Sequence, residues 1–109
     1  MKLLITIIQD RDRQSVADAL SEGGYFFTKI ASTGGFLRDG NVTLLLGVED
    51  DQLDHVLDLL KSNSTARDQY VSMPPPDVMP GANLLQSPVS VRVGGAVCFI
   101  MNVESFERW

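Results

Sequence analysis

Two short runs limit what this chain can fold into. Met1 to Ile8 and Val42 to Val48 are apolar at nearly every position. Neither shows a helical stripe and both are rich in Leu, Ile and Val, so each reads as a strand buried on both faces. The first run is far too short to span a bilayer and lacks the cleavage site of a signal peptide. A strand of this kind needs cover above and below. At 109 residues the chain has material for one domain, residues 1–109, with one set of helices. Something else must hide the second face, and a homo-oligomer packing sheet against sheet is the economical answer.

The intervening segments read just as clearly. Gln9 to Gly23 turns polar, with Val16, Ala17 and Leu20 on one helical face. Asp10 and Asp12 suit its start and Gly23-Gly24 its end. Tyr25 to Thr33 reads as a second strand, carried by Tyr25-Phe26-Phe27-Thr28 and Ile30. A glycine-containing loop runs from Thr33 to Asn41, and Val42 to Val48 is the third strand. Glu49-Asp50-Asp51 open a second helix with the stripe Leu53, Val56, Leu57, Leu60. Arg67 to Ser72 holds a short strand. Met73 to Ser87, with Pro74-Pro75-Pro76 and Pro80-Gly81, supports no regular element; a loop of that length in a small domain is functional or disordered. Val89 to Val93 and Ala96 to Val103 are strands joined by a Gly94-Gly95 turn. This order predicts an α+β fold, a ferredoxin-like βαββαβ sandwich with both helices on one face of an antiparallel sheet.

Composition excludes several functions. Apolar residues make up 44% and charged residues 21% of the chain, which argues against wholesale disorder. Nine basic against 14 acidic residues leave a net charge of −5. A nucleic acid polymer or an anionic membrane needs a basic face, so neither is expected as a partner, nor is membrane insertion. A small anion remains open. One cysteine, Cys98, and one histidine, His55, make neither a disulfide nor a zinc site, so no metal is expected and the compartment reads as cytoplasmic. Cys98, between Val97 and Phe99, reads as a buried structural thiol.

Catalysis would need a nucleophile beside an oriented base. His55 reads as a solvated helix residue. Asp50, Asp51, Asp54 and Asp58 mark a helix start and its polar face, and Glu104 and Glu107 cap or pair with Arg108. No catalytic residue and no enzyme activity are expected. Phe106 and Trp109 suggest a tail docked on a neighbouring subunit.

The stretch from Thr28 to Asn41 holds the strongest chemical signal. Gly34-Gly35 can present adjacent amides to an anion. Lys29 and Arg38 are the candidate phosphate contacts, and Phe36-Leu37 fits a purine ring beside that phosphate. The same residues also fit a hairpin loop whose Phe36-Leu37 plugs an oligomer interface. Gly47 within a strand marks either a close approach or a bulge. Gly94-Gly95 has a hairpin turn as its plain explanation.

Thr28-Lys29, Ala31, Thr33-Gly34-Gly35-Phe36-Leu37-Arg38, Gly40-Asn41 and Thr43 together resemble the signature of the PII-like cyclic di-AMP receptors. Met1-Lys2-Leu3 through Ile8-Gln9-Asp10 resembles that family's opening. Gly47-Val48 with Asp50-Asp51 and Asp54 resembles the entry to its second helix. Val93-Gly94-Gly95-Ala96, Phe99, Met101, Val103 and Phe106 resemble its end. The resemblance implies a PII-like protomer with a short loop after strand two and a long one before the final strands. It also implies a homotrimer that binds cyclic di-AMP between subunits, needs no cofactor, and signals to an effector protein. Thr28 would bond the ligand's polar atoms, and Gly35, Phe36 and Leu37 would line an adenine pocket. Asn41 and Gly47 would read the adenine edge, with Gly94 and Phe99 near the cleft. One departure stands out: Phe26 and Phe27 occupy positions where the family has an arginine and a small residue. A lost charge-assisted bond to phosphate weakens binding by about ten- to hundred-fold, while a phenylalanine stacked on a base restores about 1–3 kcal/mol. The alternative is a PII-like protein that binds a different adenine nucleotide, or only a protein partner.

Overall fold

The first apolar run forms β1 (Lys2–Gln9), and two strands pair with it on either side. The protein is seen in a computed structural model that describes residues 1–32, 40–71 and 89–109. A single 3-10 turn, Asp10–Asp12, leads into α1 (Arg13–Glu22). Then follow β2 (Thr28–Ser32), β3 (Asn41–Val48), a second 3-10 turn and α2 (Leu53–Ser64). The chain continues through β4 (Arg67–Val71), β5 (Val89–Val93) and β6 (Ala96–Asn102). The main sheet has the order β2-β3-β1-β6, and every pairing in it is antiparallel. β4 and β5 form a separate antiparallel ribbon.

Strand alternation decides which side chains meet the helices. Leu4, Thr6 and Ile8 of β1 and Val42, Leu44, Leu46 and Val48 of β3 are buried. Val16 and Leu20 of α1 and Val56 and Leu60 of α2 close over them. Both helices therefore lie on one face of the sheet, the ferredoxin-like arrangement that the element order predicts. On the opposite face, Ile5 pairs with Leu45 on one side and Phe99 on the other. Leu3 pairs with Gly47 and Met101 in the same way. Within one chain this second face has no covering layer among the described residues. The single chain thus covers β1 on one face, and on the other Phe99 remains 43% exposed.

Local chemistry fixes the joints. Glu49 and Gln52 form a reciprocal capping box at the start of the second helical segment, satisfying amides that would otherwise be orphaned. The Gly94-Gly95 turn has positive φ at both residues. A Cβ on Gly94 would lie 2.6 Å from the Thr65 carbonyl oxygen, so conformation and space both require glycine there. The Gly94 amide donates to Gln9 Oε1 at 2.6 Å. The ribbon is tied back to the body by Arg67, whose guanidinium reaches Asp12 Oδ1 at 2.9 Å, and by Arg11 donating to Gln69 at 3.1 Å.

Three expectations need adjustment. The second strand begins at Thr28, not Tyr25, because Tyr25 turns onto α2, where its hydroxyl meets His55 Nδ1 at 2.6 Å. His55 is exposed as expected, but it holds this partner. Cys98 is only half-buried, and the buried Thr6 hydroxyl donates to its Sγ at 3.1 Å. The loops expected at 33–41 and 73–87 lie almost wholly outside the described residues.

Candidate functional site

A cleft of about 620 Å³ opens where β2, β3 and the segment after β6 come together. Its floor comes from the uncovered sheet face. Thr28 sits opposite Leu45 in the β2–β3 register, and Gly47 lies two residues further along the same face of β3. A Cβ built on Gly47 would approach only the Met1 sulfur, at 4.0 Å. The missing side chain is therefore what leaves the floor open and the backbone approachable. Phe26 and Phe27 form one wall. They behave differently: Phe27 packs partly against the core, whereas Phe26 is 92% exposed. Met1, Phe106 and Arg108 supply the opposite wall. Arg108 carries the one cationic side chain among the described lining residues, in an otherwise largely apolar surround.

This arrangement has the elements for a nucleotide. Aromatic faces offer stacking, the Thr28 hydroxyl offers a hydrogen bond, and Arg108 offers a planar fork matched to phosphate oxygens. Nothing in the cleft's described lining has the base–nucleophile geometry that covalent catalysis requires. Among the described residues no cluster of His, Cys, Asp and Glu could hold a metal ion. Among them, too, no helix is long and apolar enough to cross a membrane.

Four sequence-predicted residues meet in this cleft: Phe26, Phe27, Thr28 and Gly47. Others gather elsewhere. Asn41 is buried at the opposite end of β3, paired with Gln9. Gly94 bonds that same Gln9. Six residue steps along the strand separate Asn41 from Gly47, about 20 Å at the usual rise. Phe99 lies between the two ends, opposite Ile5 on the uncovered face. Lys29 follows Thr28 in β2, so it is directed to the other side of the sheet, and it does not line the cleft. Gly35, Phe36, Leu37 and Arg38 lie outside the described residues. The predicted residues thus fall into two groups at opposite ends of one sheet.

Sequence reasoning missed Met1, Leu45, Phe106 and Arg108 as cleft residues. Arg108 reads in sequence as a partner for the neighbouring glutamates. Its actual place follows from pairing at long range: β1 and β6 are antiparallel, with Lys2 opposite Asn102. The Val103 amide then donates to the Met1 carbonyl at 3.1 Å, which brings the segment after β6 beside the start of β1.

Comparison with known proteins agrees with this architecture. The whole chain, residues 1–109, matches the profile of a family described as cyclic-di-AMP receptor. A GlnB-like protein of the nitrogen fixation nifHD region of Methanothermococcus thermolithotrophicus is 33% identical over 78 residues. That match covers 60% of this chain and 74% of the relative. The crystal structure of a functionally unknown protein from Pediococcus pentosaceus ATCC 25745 superposes with a TM-score of 0.79 at 34% identity. It covers 99% of this chain and 96% of the other.

Proposed function

The chain belongs to the cyclic di-AMP receptor family, a PII-like signalling group, and from that premise we propose that it is a homotrimeric receptor binding cyclic di-AMP between subunits. The observation that carries this reading is the separation of the two residue groups. Thr28 and Gly47 lie at one end of the sheet, Asn41 and Gly94 at the other, and no single chain can put both on one small ligand. A neighbouring copy can, by setting its Asn41 end against the Thr28 end of the first. The uncovered face with Ile5, Leu45 and Phe99 gives such a neighbour an apolar surface to bury.

In this reading the Gly47 backbone and the Thr28 hydroxyl hold polar atoms of one nucleotide half. Phe26, reaching out of the cleft wall, stacks on a base. The partner contributes Asn41, Phe99 and the Gly35-Phe36-Leu37 loop. Lys29 and Arg38 remain proposed phosphate contacts, Arg38 being the better placed in sequence because Lys29 is directed across the sheet. Ligand binding favours one arrangement of the two loops and so alters the surface shown to an effector protein; the shift can be no larger than the ligand's differential affinity for the two arrangements. The site acts by binding, not by catalysis, in a cytoplasmic receptor.

Calorimetric titration of cyclic di-AMP, with ATP and cyclic di-GMP alongside, tests the reading. Selective binding at one ligand per protomer, to a species that sediments as a trimer, supports it. Absence of binding by all three ligands, or a monomer at micromolar concentration, refutes it. The exposed Phe26 favours one second reading, a different adenine nucleotide in the same cleft. Selective heat with ATP identifies it. Phe26→Arg would then transfer the preference to cyclic di-AMP.

A further inference from the structure

The segment after β6 contributes more to the cleft than to the fold. Its last tie to the sheet is the Val103 amide on the Met1 carbonyl. Beyond that point it has no helix or strand, and Phe106 is 67% exposed. Trp109 is fully exposed. Among the described residues, Glu104 to Trp109 form no hydrogen bond or ion pair. Yet Phe106 and Arg108 both line the cleft. Arg108 thus stands without an anionic partner at the rim of a largely apolar recess, beside the Thr28 hydroxyl and the open backbone at Gly47. A guanidinium so placed is suited to bidentate capture of a phosphate.

We infer that Arg108 is a specificity-determining residue of this cleft, holding a ligand phosphate, and that residues 104–109 fold down as a strap when it does so. The inference rests on the proposed nucleotide reading and adds to it a charge and a moving part. Before binding, the strap has little to hold it. A phosphate bonded to Arg108 fixes the guanidinium, and Phe106 then closes over the apolar wall formed by Phe26 and Met1. Trp109 follows directly after Arg108, so its surroundings change with occupancy. It is the only tryptophan in the chain, which makes the strap visible without a label.

The test titrates cyclic di-AMP into full-length wild type, Arg108→Gln and Arg108→Lys at low and high salt, reading heat and Trp109 emission. Arg108→Gln is expected to weaken binding by about ten- to hundred-fold, the size of a lost charge-assisted bond. The deficit should be larger at low salt, because screening weakens the charge interaction in the wild type. Arg108→Lys, which keeps charge without the fork, should fall between the two and retain the salt dependence. Wild-type emission should shift in step with the heat. Wild-type binding that Arg108→Gln leaves within two-fold, or that leaves Trp109 emission unchanged, overturns the strap while the receptor reading survives. Equal, salt-independent losses in Gln and Lys variants reduce Arg108 to packing and overturn it too. A wild type that binds nothing removes the receptor reading and the strap together.

Discussion

Substituting Gly47 should separate stability from binding, because the two respond with opposite signs. Gly47 lies in the interior of β3, and its φ is not in the positive range that favours glycine. A Cβ there meets only the Met1 sulfur, at 4.0 Å, so the backbone can accept one without rearrangement. Glycine within a strand costs about 0.5–1 kcal/mol relative to alanine, and a β-branched residue suits a strand better still. Gly47→Val should therefore raise stability by about 1 kcal/mol, or about 4 °C in Tm for a domain of this size. The same three carbons project into the cleft floor. Forcing a ligand past added methyl groups costs about 1–3 kcal/mol, or about ten- to hundred-fold in Kd. Thermal melts and calorimetry on one preparation, at fixed protein concentration, give both readings. A Gly47→Val protein that melts lower and binds normally would refute both the open-floor geometry and the role assigned to this glycine.

Gly94→Ala should destabilise by about 2 kcal/mol or more through positive φ and the close Thr65 carbonyl, read as a lower urea midpoint at unchanged m. Arg67→Ala should cost about 2 kcal/mol, less than a fully buried pair because Arg67 is half-exposed; it leaves the buried Asp12 carboxylate uncompensated, and adding Asp12→Ala should recover part of the loss in the same denaturation assay. Ile5→Asp places a charge in the middle of the uncovered sheet face, and if the proposed trimer buries that face, sedimentation of the variant should give monomers at a concentration where the wild type sediments as the larger species.

The elements were legible wherever burial has a period. The continuous run Leu3 to Ile8 announced β1, because an apolar residue at nearly every position records cover expected on two faces, and the stripe through Val56 and Leu60 announced α2, because it records one contact surface. The site was legible in part for a different reason. Thr28 entered through the family resemblance, and Gly47 as a strand glycine that marks either a close approach or a bulge; the structure brings both to one cleft. Phe26 and Phe27 could not be told apart as letters: one packs partly on the core and the other projects from it, a difference set by the turn of Tyr25 onto His55. Arg108 was invisible as a cleft residue because nothing local places it there. Its position depends on which strand pairs with β1, and that is a property of the whole chain. Cys98, flanked by apolar neighbours, looked more buried than it is, since β6 is an edge of the sheet.

The pairing of Lys2 with Asn102 also has a kinetic consequence. β1 is an interior strand, yet one of its two partners, β6, is made after all the other described strands. The β1–β3 pair and both helices can assemble earlier, but until β6 arrives one side of β1 presents a row of unpaired amides and carbonyls. Joining residues so far apart in sequence is entropically slow, so folding is expected on the millisecond-to-second scale of high-contact-order domains. During synthesis the half-finished sheet carries a sticky edge, and β6 acts as the piece that both completes the sheet and ends that exposure.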